Sequence, residues 1–156
     1  MSGKFGSYKV ALLALVISLP VVAAEPGVKA QVVGGTVTGL SPRCGARLDL
    51  TATDSLRLRC DKIDIEIPYP KVNTVEYGQN VSRRYAAAIL ISPVLLLSKS
   101  RKHFVTLGYI DSEGKQQALV FRIEKGDIRS VLTGLEARTG RRIEYQDGEA
   151  RKAGKG

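Results

Sequence analysis

CGARLDL, residues 44–50, then TATDSLRLRC, residues 51–60, and DKIDIEI, residues 61–67, form the stretch that decides the fold. Cys44, Ala46, Leu48 and Leu50 fall on one side of an extended chain, with Arg47, Asp49 and Thr51 on the other. After Ala52-Thr53-Asp54 the pattern resumes, with Leu56, Leu58 and Cys60 facing one way and Arg57 and Arg59 the other. Ile63, Ile65 and Ile67 then alternate with Asp64 and Glu66. Period-two alternation over three consecutive segments is the pattern of half-buried antiparallel strands.

The pattern also suggests registers. Pairing the first two strands about Ala52 sets Leu48 against Leu56, Ala46 against Leu58 and Cys44 against Cys60. Pairing the second and third through Asp61-Lys62 sets Leu58 against Ile65 and Leu56 against Ile67, with Arg57 and Arg59 against Asp64 and Glu66. Both keep the apolar residues on one face, which a slip of one residue would destroy. The first places the only two cysteines opposite one another, where a disulfide is feasible. The alternative is a pair of buried free thiols.

Outward from this core, Pro68 and Pro70 end the third strand, because proline cannot donate to a ladder. Val72 to Tyr77, closed by Gly78, reads as a fourth strand. His103 to Ile110 and Gln117 to Ile123 form a hairpin about Asp111-Ser112-Glu113-Gly114-Lys115. Asp127 stands where an N-cap belongs, and Ile128, Val131, Leu132 and Leu135 give the stripe of an amphipathic helix that Gly140 stops. Arg141 to Tyr145 reads as a last extended piece, and residues 146–156 as a disordered basic tail. The expectation is a mostly β, α+β domain over residues 44–145, with six to seven antiparallel strands and one C-terminal amphipathic helix.

The N-terminus reads differently. Lys4 and Lys9 precede an almost wholly apolar run from Val10 to Val22, and Val22-Ala23-Ala24 offers small residues for cleavage. Residues 1–24 have the anatomy of a secretory signal peptide, the alternative being an uncleaved anchor. The run of about 15 residues is short of the roughly 20 that a spanning helix needs. Residues 25–43, rich in Gly, Val and Thr, read as a flexible leader with room for a short strand at Thr36 to Leu40. The expected location is therefore periplasmic or extracellular, where a disulfide is permitted.

The strand order with its helix last resembles the pleckstrin-homology-like superfold, including its GRAM and bacterial branches. Ile67-Pro68-Tyr69, Val72 and Val75-Glu76-Tyr77-Gly78 look like a stretch found in those domains. Arg83-Arg84, Lys102-His103-Phe104, Asp111 with Gly114, and Leu135 to Gly140 look like a family of exported bacterial proteins of unknown function. The resemblance implies a partly open barrel. Phosphoinositide binding in that superfold uses basic residues on an early hairpin, and Ala52-Thr53-Asp54 has none, so that activity is not carried over.

Chemistry finds little purchase. With one histidine and two cysteines whose register favours a disulfide, neither a nucleophilic dyad nor a four-ligand zinc site is expected. No cofactor, metal or catalytic residue is expected, so the chain reads as no enzyme. The formal charge of +9 falls by two without Lys4 and Lys9 and still permits an acidic partner. Nucleic acid is not expected outside the cytoplasm, and a chain without Trp has few rings for a stacking platform. The segment Ala86 to Leu97 is apolar without alternation, and basic residues flank it. It is either buried core or a contact surface, with Arg83, Arg84, Leu90, Leu95, Lys99, Arg101 and Lys102 as candidate contacts. Two functions follow as expectations: a non-enzymatic envelope module that binds a protein partner, or a peripheral domain bound to an anionic membrane surface.

Overall fold

A computed structural model describes residues 26–79 and 102–155. The chain is mostly β. Its strands are β1 (Val28–Gly35), β2 (Gly45–Asp49), β3 (Ser55–Cys60), β4 (Ile63–Pro68), β5 (Val72–Gly78), β6 (His103–Ile110), β7 (Gln116–Ile123) and β8 (Glu144–Tyr145). A 3-10 turn, Tyr69–Lys71, joins β4 to β5, and the helices among the described residues are α1 (Ile128–Thr139) and α2 (Gly148–Lys155). The strands form one sheet in the order β4-β3-β2-β1-β7-β6-β5-β8, antiparallel except for the short β5–β8 pair. β4 and β5 are far apart in that order yet are joined by three residues, a span of roughly 14 Å at full stretch. The sheet must therefore bend round on itself, a shape compatible with a partly open barrel.

The enclosed face carries the core. Leu48, Leu56, Leu58, Ile67, Val75, Tyr77, Leu107, Leu119 and Phe121 are all buried there. Ile128, Val131, Leu132 and Leu135 of α1 join the same cluster, so the expected stripe is the packed one. Gly140 ends α1 in the left-handed conformation at φ 67°, which costs a glycine nothing. Asp127 stands before α1, but its side chain makes no cap hydrogen bond. Its carbonyl instead accepts from Val131 N and Ser130 Oγ.

Four expectations are corrected. Residues 25–43 are not a flexible leader, because β1 lies in the middle of the sheet between β2 and β7. A bulge between Val32 and Gly34 breaks its alternation, and Gly35 sits where a Cβ would lie 3.0 Å from the Ala118 carbonyl oxygen. Thr36 to Leu40 forms turns rather than a strand, with the Thr36 hydroxyl bonded to Gln117 Oε1 and accepting from Ala118 N. Residues 146–156 are not a disordered tail. Residues 148–155 form α2, with Ala150 fully buried in the core and Arg151 over the Tyr145 ring. Among the described residues the strands number eight rather than six to seven.

The registers divide. β3 and β4 pair as expected, with Leu56 opposite Ile67, Leu58 opposite Ile65 and Arg57 opposite Glu66. β2 and β3 are displaced by two residues, with Ala46 opposite Cys60 and Leu48 opposite Leu58. The displacement keeps every side chain on its face and lengthens the turn. Asp49 Oδ1 accepts from the Thr51 amide and hydroxyl at 2.8 and 2.7 Å, and Tyr69 N donates to the Asp54 carbonyl. It also sets Arg57 against Asp49 instead of against Arg47.

The outer face has two characters. Over β2–β4 it carries charged side chains. Over β6 and β7 it is buried, with Phe104, Thr106, Ala118 and Val120 each at most 5% exposed. Among the described residues no helix is long and apolar enough to cross a membrane.

Candidate functional site

The cysteines meet as expected in pairing, though not in register. Cys44 and Cys60 form a disulfide across a diagonal, with Cα atoms 6.0 Å apart, because Cys60 faces Ala46 directly. Both are buried. The bridge suggests an oxidising, exported compartment. It closes β1 to β3, where Val32 N donates to the Cys44 carbonyl and Arg43 N to the Val32 carbonyl.

On the outer face beside it, the strands set charges in two cross-strand rows. The first is Asp49, Arg57 and Glu66, alternating in sign. Arg57 lies 3.2 Å from Glu66 and 3.8 Å from Asp64, while Ser55 Oγ donates to Glu66 at 2.8 Å. That hydroxyl, then Arg57, holds the Glu66 carboxyl below its ordinary range. Asp49 is likewise lowered, first by the Thr51 hydroxyl and amide. The second row is Lys29, Arg47 and Arg59, ending at Asp64. It lines a cavity of about 430 Å³ together with Ala30, Gly45, Ala46 and Asp61.

The free edge of β4 borders this face. Ile63 and Ile65 are half-buried on its inner side, and Asp64 and Glu66 are exposed on its outer side. Among the described residues no strand pairs with that edge.

Of the expected contact residues, Arg83, Arg84, Leu90, Leu95, Lys99 and Arg101 lie outside the described residues. So does the apolar segment 86–97. Lys102 is half-buried and lines a second cavity, of about 310 Å³, with His103, Arg122, Ile123, Glu124 and Lys125. The sequence reading missed Lys29 altogether, since it fell in the supposed leader. A register with Arg47 opposite Arg59 would have been the signal for the second row.

His103 stacks on Tyr77 with ring centroids 6.0 Å apart, and the Tyr77 hydroxyl lies 2.5 Å from Nδ1. Burial, then Lys125, lowers the His103 pKa below its ordinary value. A lowered folded-state pKa means that the unfolded chain takes up the proton first as pH falls. Stability is thus fully present above about pH 6.5, the unfolded value, and declines on acidification toward the folded pKa. Thermal unfolding between pH 5 and 8 should show that decline in the native chain and a flatter profile in His103→Asn. Parallel profiles would refute the assignment. Burial in the ring stack favours the neutral imidazole.

Compared with known proteins, the chain matches no protein-family model, and no curated protein matches it.

Proposed function

We propose that this chain is an exported, non-enzymatic interaction module of the cell envelope that receives an extended strand of a protein partner at the free edge of β4. The observation that carries the reading is that edge. A strand without a neighbour offers a row of backbone donors and acceptors, and main-chain pairing with an incoming segment satisfies them. Half-buried Ile63 and Ile65 favour apolar residues at alternate positions of the partner. Asp64 and Glu66, exposed and both within 4 Å of Arg57, favour basic residues between them. Two copies joined edge to edge would bring these carboxylates onto one face, and like charges opposed across strands destabilise pairing. The edge thus disfavours self-association and favours a basic partner.

Export is supported by the disulfide and by the pattern of residues 1–24. The succession of antiparallel strands with a packed helix after them supports a pleckstrin-homology-like barrel, although the central β1 and the terminal α2 add to that plan. A non-enzymatic role is supported by the bridged cysteines and the stacked His103. The alternative, a peripheral membrane-binding domain, rests on residues 83–102, of which only Lys102 is described.

The test is an amide chemical-shift titration of the full chain with two short peptides, one alternating Val with Lys and one alternating Val with Glu. The Val/Lys peptide should shift the β4 and β3 amides. The pair Asp64→Lys and Glu66→Lys should reverse the preference. Failure of both peptides to move β4 would rule out the edge as the docking site.

A further inference from the structure

α1 does not close evenly over the sheet. Its stripe of Ile128, Val131, Leu132 and Leu135 is buried, but Ser130, Gly134 and Arg138 line a groove shared with the start of β1 and the end of β2. The groove encloses about 510 Å³, inside the range of about 300–1,000 Å³ typical of small-molecule sites, which favour the mouths of barrels. Its apolar lining is aliphatic: Val28, Leu48, Leu50 and Val131. Leu48 and Val131 are buried, whereas Val28 and Leu50 are left half-buried. Gly134 thins the helix beside Leu50, where an added Cβ would stand 3.2 Å from Leu50 Cδ1. From Ser130 to Arg138 the helical wall runs for about 12 Å.

A cation marks the end of this wall. Arg138 Nη1 donates to the Ala52 carbonyl at 2.6 Å and Nη2, weakly, to the Thr51 carbonyl at 3.5 Å, with the guanidinium over the Tyr69 ring. These contacts fix the side chain and use only part of its five-donor fork. Asp49 and Asp54 bear on the same end through the Tyr69 hydroxyl, but the Asp49 carboxyl is turned to Thr51 and to the Arg57 row. We propose that the groove is a binding site for a free straight-chain fatty carboxylate, its chain along Val131 and Leu50 and its head group on Arg138. An aliphatic wall suits a flexible hydrocarbon, which covers Val28 and Leu50 without leaving a polar group unpaired. A guanidinium fork suits a carboxylate head. None of the lining residues belongs to β4, so the site stands or falls independently of docking at that edge.

The full chain, isotopically labelled, is titrated with decanoate, decanol and decyltrimethylammonium, each below its micelle concentration. The readouts are amide and methyl shifts and nuclear Overhauser effects from the ligand methylenes. Decanoate should saturate, show Overhauser contacts to the Val131 and Leu50 methyls, and bind about threefold to fivefold tighter than decanol. The cation should bind weakest. Arg138→Gln should remove the preference for decanoate over decanol, a comparison made within one variant and so independent of its stability. Arg129→Gln, on the same helix but outside the lining, should keep the preference. Ser130→Trp fills the groove and should abolish saturation, and the Overhauser contacts in the native chain locate the ligand even if that variant folds poorly. Absence of saturation by decanoate overturns the proposal, as do Overhauser contacts at other residues. Equal affinities for decanoate and decanol in the native chain would sink the assigned head group, and equal loss of preference in Arg129→Gln would mean general surface charge only.

Discussion

Replacing Cys44 and Cys60 together by alanine should cost about 3 kcal/mol of stability, read as a shift of the urea midpoint at unchanged slope. The sequence separation of 16 sets the scale, because a covalent link across such a loop removes conformational freedom chiefly from the unfolded chain. Packing contributes less. Both sulfurs are buried, but an alanine at each position leaves only a small void between β1, β2 and β3. The bridge also holds the end of the turn before β2, where Arg43 sits at a positive φ of 73°. A non-glycine residue in that region is strained unless its neighbours keep it there. Reductant should therefore destabilise the native chain by nearly the same amount and leave the double variant unaffected. A double variant within about 0.5 kcal/mol of the native chain would mean that the bridge contributes little. The expected sensitivity to reduction also bears on where the chain works, since a domain that loses this much in a reducing cytosol is better suited to an oxidising compartment.

How much of this fold could be read in advance depends on which physical constraint each element obeys. The β3–β4 register was legible because Asp61-Lys62 leaves a two-residue turn and Arg57 has Glu66 to face. The β2–β3 register was not, because a slip of two residues preserves every side chain's face. Alternation is blind to it, and the choice fell to turn contacts made by Asp49 and Tyr69. β1 was hidden by its bulge at Val33 and by Gly34-Gly35, which read as loop chemistry although Gly35 is needed for close approach to β7. α2 was hidden because Gly148 and Gly154 are poor helix residues and its buried positions are the small Ala150 and Gly154. The missed β1 and the missed β2–β3 register share a consequence. Lys29 belongs to β1 and Arg47 faces Arg59 only in the displaced register, so the cationic row exists in three dimensions and in no local pattern. The β4 edge was partly legible as a strand, but its place at the end of the sheet follows from long-range order alone.

Leu135→Ala should be the most damaging single truncation on α1, at about 3 kcal/mol or more. Leu135 has no solvent exposure and is one of the largest fully buried side chains of the chain. It sits in the same cluster as Tyr77, Leu107 and Phe121, so its removal leaves a cavity bounded by β-strand side chains that the sheet's hydrogen bonds hold in place. Such a site collapses poorly, and the residual void adds to the lost transfer free energy. Further loss is expected where α1 meets the β2–β3 turn. Arg138 donates to the Ala52 carbonyl at 2.6 Å and lies 5.7 Å from the Tyr69 ring, so a helix that shifts to fill the void strains both contacts. Exposed Glu136, one position along, provides the matched control and should change stability by less than about 0.5 kcal/mol on truncation. Chemical denaturation of the three proteins decides the matter. Equal midpoints for Leu135→Ala and Glu136→Ala would show that α1 is an accessory to the sheet. A large loss in Leu135→Ala alone makes the helix the plug that the bent sheet requires. In that case the outer face and edge of the sheet keep their arrangement only because α1 seals the inside.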